Sequence, residues 1–185
     1  MLGLNLLLDG NAIGTGILIH NNLLLTCNHI FTKTQVKQAW ARFDYKSESN
    51  NSKINLFELD INFITQSRQY DYALLQIKGK VQPKAISINE NTILDSGQEI
   101  RIIHHPRGNP VFISNLGQIM QVGEDYIDHN LKTDDGSSGA PILNNQWELV
   151  AIHQGNVGIG RNFEPGTTGA IPIRSIWSQI SPHFS

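Results

Sequence analysis

The chain carries one cysteine, Cys27, among its 185 residues. No internal disulfide can form, and no cysteine pair exists to anchor a structural zinc site. That composition suits a reducing compartment, most simply the cytoplasm. Also missing is the His-Glu-x-x-His spacing of a helical zinc site. His104-His105 stands alone and reads as a polar strand end or loop. Neither a metal nor another cofactor is expected. No apolar run approaches the ~20 residues of a membrane-spanning helix, so no membrane partner is expected. Leu6-Leu7-Leu8 gives way at once to Asp9-Gly10 with no basic segment before it, so no secretory leader is expected either. Lys and Arg number 14 against 16 Asp and Glu, a formal net charge of −2. The basic footprint of a nucleic-acid binder is therefore absent. Amphipathic helical periodicity is nearly absent too, and there is no repeat period or low-complexity segment.

What remains is a series of short strands between turns. Hydrophobic residues make up 39% of the chain, enough for an ordered globular domain. Strand patterns fall at residues 11–19, 23–26, 36–44, 54–64, 72–77, 99–103, 111–113, 117–122, 126–127, 141–143, 147–153 and 170–173. Asn21-Asn22 joins the first two as a hairpin. Residues 46–53 form a polar Ser/Asn-rich surface excursion, and a glycine-rich loop follows His153, through Gly155, Gly158 and Gly160. Residues 174–180 form a short terminal helix before Pro182. The predicted fold is all-β, a sandwich or barrel. The weakly patterned connector at 79–97 marks a crossing between two subdomains, one over residues 1–80 and one over 98–173, with the terminal helix in 174–185.

One stretch stands out, Thr133-Asp134-Asp135-Gly136-Ser137-Ser138-Gly139-Ala140-Pro141. Its glycines allow a sharp turn and a close backbone approach. Such a loop can push the Ser138 hydroxyl forward while backbone N–H groups of the same turn face one point, as a serine nucleophile requires. An ordinary Gly-Ser turn would look the same. His29 closes the 23–26 strand within Thr26-Cys27-Asn28-His29, and Asp71 immediately precedes the 72–77 strand. Alone, each has a plain structural alternative. Together they supply a nucleophile, a base and a carboxylate to orient the base, each beside a strand end.

With these pieces, the sequence resembles the chymotrypsin/trypsin-like serine peptidases. The resemblance rests on Gly14-Thr15-Gly16, Leu25-Thr26-Cys27-Asn28-His29, Asp71-Tyr72-Ala73-Leu74-Leu75 and Gly136-Ser137-Ser138-Gly139-Ala140-Pro141, and it spans residues 11–176. It implies two antiparallel six-stranded β-barrels with the site between them. It implies His29 as base, Asp71 as its partner, Ser138 as nucleophile, and the N–H groups of Gly136 and Ser138 as the oxyanion hole. A protein or peptide substrate follows. Ser137 stands where digestive members carry an aspartate that pairs with a newly cut N-terminus, so that activation switch is not expected. Cys27 reads as a small packed hydrophobe, with a redox sensor as the alternative.

The chain is more similar to a bacterial intracellular-type subgroup, through Ile102-Ile103-His104-His105-Pro106-Arg107-Gly108 and Trp147-Glu148-Leu149-Val150-Ala151-Ile152-His153. Such domains occur beside signalling or defence modules, which implies a nucleotide-binding signalling partner in cis or trans. His153, followed by Gln154 and Gly155, falls on the strand lining the primary specificity pocket. Together with Thr133 it matches the glutamyl endopeptidases and viral relatives that cut after Gln. The pair can donate hydrogen bonds to a carboxylate or amide. Asp134 and Asp135 oppose an acidic group by like charge. Lys132 occupies the pocket-base position of trypsin-like enzymes and argues against plain Arg/Lys selectivity. The alternative to an enzyme is a catalytically silent barrel that binds peptides or regulates a larger protein.

Overall fold

The computed structural model describes residues 3–32, 35–46, 55–82, 84–156 and 165–184. Most of the predicted 46–53 excursion, and Gly158 and Gly160 of the glycine-rich loop, lie outside the described residues.

Six strands close a first antiparallel barrel: β1 (Leu4–Leu8), β2 (Asn11–His20), β3 (Leu23–Thr26), β4 (Ala39–Phe43), β5 (Asn55–Ser67) and β6 (Tyr72–Ile77). Their order is β1-β2-β3-β6-β5-β4, and β4 returns to β1 with Ala41 opposite Leu6. The second barrel uses β7 (Glu99–His104), β9 (Gly117–Val122), β10 (Ile127–His129), β11 (Pro141–Leu143), β12 (Leu149–Gly155) and β13 (Thr168–Pro172). Ile142 of β11 pairs with Ile102 of β7 and closes the ring, while the short β8 (Phe112–Ile113) pairs with the end of β7. Helix α1 (His29–Thr32) is a single turn after β3, and α2 (Ile173–Ile180) runs on from β13. Among the described residues, no helix is long and apolar enough to cross a membrane.

The apolar runs in β3 and β6 hardly alternate because both of their faces are buried. Leu24, Ala73, Leu75 and Ile77 fill the first barrel with Leu4, Leu6 and Leu59. Leu23, Leu25, Tyr72 and Leu74 point the other way, into a shared core with Ile103, Leu143 and Leu149 and with Ile173, Ile176 and Ile180 of α2. Ile100, Ile102, Ile119, Ile127 and Ile142 fill the second barrel. One continuous layer thus joins the barrels and fixes the cleft between them. Each fully buried Leu or Ile in it contributes roughly 1.5–3 kcal/mol relative to exposure.

Three local differences from the sequence pattern have physical causes. Strand β1 is an added element that closes the barrel from Leu4 to Leu8. Strand β4 begins at Ala39, not at 36, because the Asp9 carboxylate accepts the N–H groups of Lys37 and Gln38 and withholds them from the sheet. Strand β12 begins at Leu149, not at 147, because Asn144 Oδ1 accepts the N–H groups of Gln146 and Glu148 and prolongs the turn, with Trp147 at φ 61°.

Candidate active site

His29 lies where β3 ends and α1 begins, and Asp71 where the chain turns into β6. Thr26 pairs with Ala73 across the two strands, which brings the ends together. Asp71 adopts φ 49°, a left-handed conformation that aspartate tolerates better than most residues. There its carboxylate takes two donors from one residue. Oδ1 accepts the His29 backbone N–H at 2.7 Å, and Oδ2 lies 2.7 Å from His29 Nδ1. Asp71 is buried, at 4% exposure, so this pairing is shielded from water. The other ring nitrogen, His29 Nε2, is 3.1 Å from Ser138 Oγ. The structure thus brings the three sequence-predicted residues into one hydrogen-bonded line across the barrel interface.

The Ser138 loop is tied to both barrels. Thr15 N–H donates to Ser138 O at 2.8 Å, and Gly139 N–H donates to His153 O at 2.8 Å. Gly139 has φ +84°, and a Cβ there would meet Thr26 Oγ1 at 2.1 Å and Thr15 O at 2.2 Å, so only glycine fits. Before the serine, Arg107 N–H donates to Asp135 O at 2.5 Å. A trans peptide sets its C=O and N–H on opposite sides, so this bond turns the Gly136 N–H away from the 105–108 segment. Thr15 Oγ1 donates to Gly136 O at 2.9 Å and holds the next peptide. Neither the Gly136 nor the Ser138 N–H has a partner among the described residues. Two unengaged amides thus belong to the same loop as a hydroxyl that lies 3.1 Å from an imidazole nitrogen.

A cleft of about 730 Å³ opens over this loop, lined by Ala12, Ile13, Arg107, Thr133, Asp134, Asp135, Gly136, Ser138, His153, Gln154, Gly155, Asn156 and Thr168. Thr133, His153, Gln154 and Gly155 are all among the residues that line it. Lys132 does not line this cleft. It is exposed and borders a separate cavity with Phe112, Leu116 and Leu131. Asp134 is paired, its Oδ2 2.6 Å from Arg107 Nε, so part of its charge is offset at the rim.

His153 is buried, with Nδ1 3.1 Å from Nε2 of His129, a residue the sequence reading missed. The Leu131 backbone N–H donates to His129 Nδ1 at 3.3 Å. A backbone amide can only donate, so neutral His129 carries its proton on Nε2 and passes it toward His153 Nδ1. His153 is left with its own proton on Nε2, as a donor on the cleft wall. Burial pushes the His129 pKa down to about 4. Burial, and then the neighbouring His129, His104 and His29, hold His153 well below the ordinary range. Both are therefore neutral at physiological pH. Thr168 was missed as well. It pairs opposite His129 in the sheet, with Oγ1 3.4 Å from His129 Nε2.

Cys27, His29 and Asp71 offer donor atoms within 4.8 Å of one another. The Cys27 thiol, however, donates to His153 O at 3.2 Å, and burial followed by the Asp71 charge pushes its pKa well up. A protonated thiol is a poor metal ligand, and the His29 Nδ1 and Asp71 oxygens already satisfy one another.

A family model described as the trypsin-like peptidase domain matches residues 14–152, and the chain belongs to that family. It is 27% identical over 172 residues to the uncharacterized protein y4fB of Sinorhizobium fredii, covering 80% of this chain and 26% of that protein. It is 22% identical over 162 residues to a glutamyl endopeptidase of Staphylococcus epidermidis, covering 81% of this chain and 57% of that enzyme. The chain thus spans less than two thirds of the length of either relative. Among solved structures it is similar to the inactive form of a serine-to-alanine mutant of Rv3671c from M. tuberculosis H37Rv. There the TM-score is 0.74 at 13% identity, over 97% of this chain and 85% of that one. That likeness confirms the chymotrypsin fold of two antiparallel barrels expected from the sequence.

Proposed function

We propose that this domain is a serine endopeptidase acting on a protein or peptide substrate. Ser138 Oγ attacks the scissile carbonyl carbon while His29 Nε2 takes the hydroxyl proton. Asp71, bonded to Nδ1–H, stabilises the resulting imidazolium and keeps the ring in register. The former carbonyl oxygen, now an anion, is received by the N–H groups of Gly136 and Ser138. Collapse breaks the C–N bond, and His29 returns its proton to the leaving amine, leaving an ester on Ser138. Water, deprotonated by His29, then hydrolyses that ester. The observation that carries this reading is His29, which reaches Asp71 at 2.7 Å through one nitrogen and Ser138 at 3.1 Å through the other.

For the residue on the acyl side of the cut, the same reading favours Glu or Gln. Neutral His153 supports it as a hydrogen-bond donor in the cleft, and Thr133, which lines the same cleft, supports it as a second. The Arg107–Asp134 pair weakens the repulsion that Asp134 would exert on an acidic side chain. Because His153 is held neutral, it recognises the acceptor oxygen that Glu and Gln share and adds no charge attraction for Glu.

The test is a fluorophosphonate probe followed by intact-mass spectrometry. Wild-type protein is expected to gain one adduct and Ser138→Ala none. An unlabelled wild type, or an equally labelled variant, would overturn the assignment.

A further inference from the structure

Ser137, the residue before the nucleophile, is fully buried, and so is His104 beneath it at the end of β7. His104 Nδ1 lies 2.7 Å from Ser137 Oγ. The same oxygen accepts the Asp134 N–H at 3.1 Å. Ser137 N–H in turn donates to Asp134 O at 3.0 Å. The hydroxyl therefore closes the turn from Asp134 to Ser137 on itself, and His104 holds that hydroxyl from below. The direction of the bond follows from counting donors. If Ser137 donates to Nδ1, only the Nε2–H of His104 lacks a partner; if Nδ1–H donates, both Nε2 and the serine hydrogen are left over. The first arrangement leaves fewer groups unpaired. His104 Nε2 is indeed a buried atom without a partner among the described residues.

A buried imidazole with one nitrogen unsatisfied is costly, and an apolar side chain would fill the same core without that cost. Its other nitrogen makes the short bond to Ser137. The geometry points to His104 as a positioning residue, whose bond to Ser137 holds the Asp134–Ser138 loop with the Gly136 and Ser138 amides open to the cleft. This rests on the serine-peptidase reading and adds to it a residue that touches neither substrate nor reacting atoms. Neighbouring contacts of the same segment hold the adjoining peptides. Arg107 N–H fixes Asp135 O, and His105 N–H donates at 3.2 Å to Thr15 Oγ1, which in turn fixes Gly136 O. These bonds set the peptides on either side of Gly136, while the peptide entering Ser138 is held through Ser137, whose carbonyl accepts the Ala140 N–H at 3.0 Å and whose hydroxyl is bonded to His104. Burial, aided by neighbouring His105, pushes the His104 pKa down to about 4, so Nδ1 stays available as an acceptor near neutral pH.

The experiment compares His104→Phe, which fills the core without an acceptor, with His104→Asn, whose amide oxygen can take the place of Nδ1. Fluorophosphonate labelling rate, kcat and KM are measured on peptide substrate, with Tm as the control for folding. His104→Phe is expected to label and turn over roughly 10²-fold more slowly, the scale of losing one oxyanion donor, with KM unchanged. His104→Asn is expected to recover most of that loss. If His104→Phe does not fold, Ser137→Ala takes its place with the same expectation. Wild-type labelling with an undiminished rate in His104→Phe, or a His104→Asn variant no faster than His104→Phe, would overturn the positioning role alone. Failure of the wild type to label would remove the peptidase reading beneath it as well.

Discussion

His129 Nε2 faces His153 Nδ1 at 3.1 Å, and the Leu131 amide on the far side of His129 sets the direction of that bond. A backbone N–H, two neutral imidazoles and the cleft form one line of donors. His153 presents its proton to the cleft because it has no other tautomer compatible with that line.

If the cleft takes Glu or Gln, removing this donor has a selective effect. His153→Ala is expected to lower kcat/KM for substrates with Glu or Gln before the cut by about 10–100-fold, the worth of one hydrogen bond to a polar or charged group. Substrates with small apolar residues there should lose much less. His129→Phe should act in the same direction but less strongly, since it frees His153 to adopt either tautomer. Profiling wild type and both variants on one peptide library separates this from mere packing, which would weaken all substrates alike. A wild-type preference for Arg, Lys or bulky apolar residues would discard the carboxylate-or-amide pocket.

The same burial makes the fold sensitive to acid. His104 and His129 titrate near 4 in the folded protein, and His105 and His153 are lowered too, against about 6.5 in the unfolded chain. Between those values the unfolded state binds more protons, so stability rises with pH. It is fully present above about 6.5 and is lost as pH falls toward 4. From pH 7 to pH 5, each histidine pushed to about 4 removes on the order of 2 kcal/mol. Urea unfolding at the two pH values should show this loss, and His129→Phe should reduce it. A midpoint that does not move from pH 7 to pH 5 would contradict the burial of these rings.

How much of this was legible depended on range. Strands such as β3, β6 and β11 could be read locally, as apolar runs between turn residues. The strand ends at His29 and Asp71 came with them, because each sits on a local boundary. His129 could not be read that way. It lies in a three-residue strand, and its meaning comes only from register, opposite Thr168 and one strand from His153. His104 was visible as part of a His-His pair, but nothing local shows that one ring lies under Ser137 and the other on the Asn109 carbonyl. Lys132 failed for the opposite reason. Its place in the chain suggests the pocket base, yet it is exposed and borders a separate cavity. The nucleotide-binding partner rests on resemblance alone.

Cys27 illustrates a residue whose environment decides between two chemical readings. Its thiol is fully buried, and the nearby Asp71 charge opposes the thiolate. Reactivity follows thiolate content, so the packed-hydrophobe reading is favoured over the redox sensor. Native protein at pH 8 should remain unmodified by iodoacetamide over hours, while urea-unfolded protein takes up one label. Cys27→Ser should retain activity, because its hydroxyl can donate to the His153 carbonyl in place of the thiol. Rapid stoichiometric alkylation of the native protein would reverse the assignment.

The sharpest expectation concerns Asp71→Asn. In the native site the two carboxylate oxygens have different partners, the His29 backbone N–H on Oδ1 and the His29 ring on Oδ2. The backbone N–H can only donate, so an amide in this position must turn its oxygen toward it. The amide NH₂ then faces His29 Nδ1, and two donors cannot share that contact. Nδ1 must become the acceptor, which moves the ring proton to Nε2. An Nε2–H cannot take the proton of Ser138, and the nucleophile loses its base although every atom stays close to its native position. The expected outcome is a fall in kcat on the order of 10⁴-fold, with the fold and KM preserved. Ser138→Ala should fall further, on the order of 10⁶-fold. The variants should be compared by peptide hydrolysis near neutral pH, with circular dichroism as the control for folding. An Asp71→Asn enzyme within tenfold of wild type would mean that Asp71 does not govern the His29 tautomer, and the assignment of these three residues would have to be abandoned.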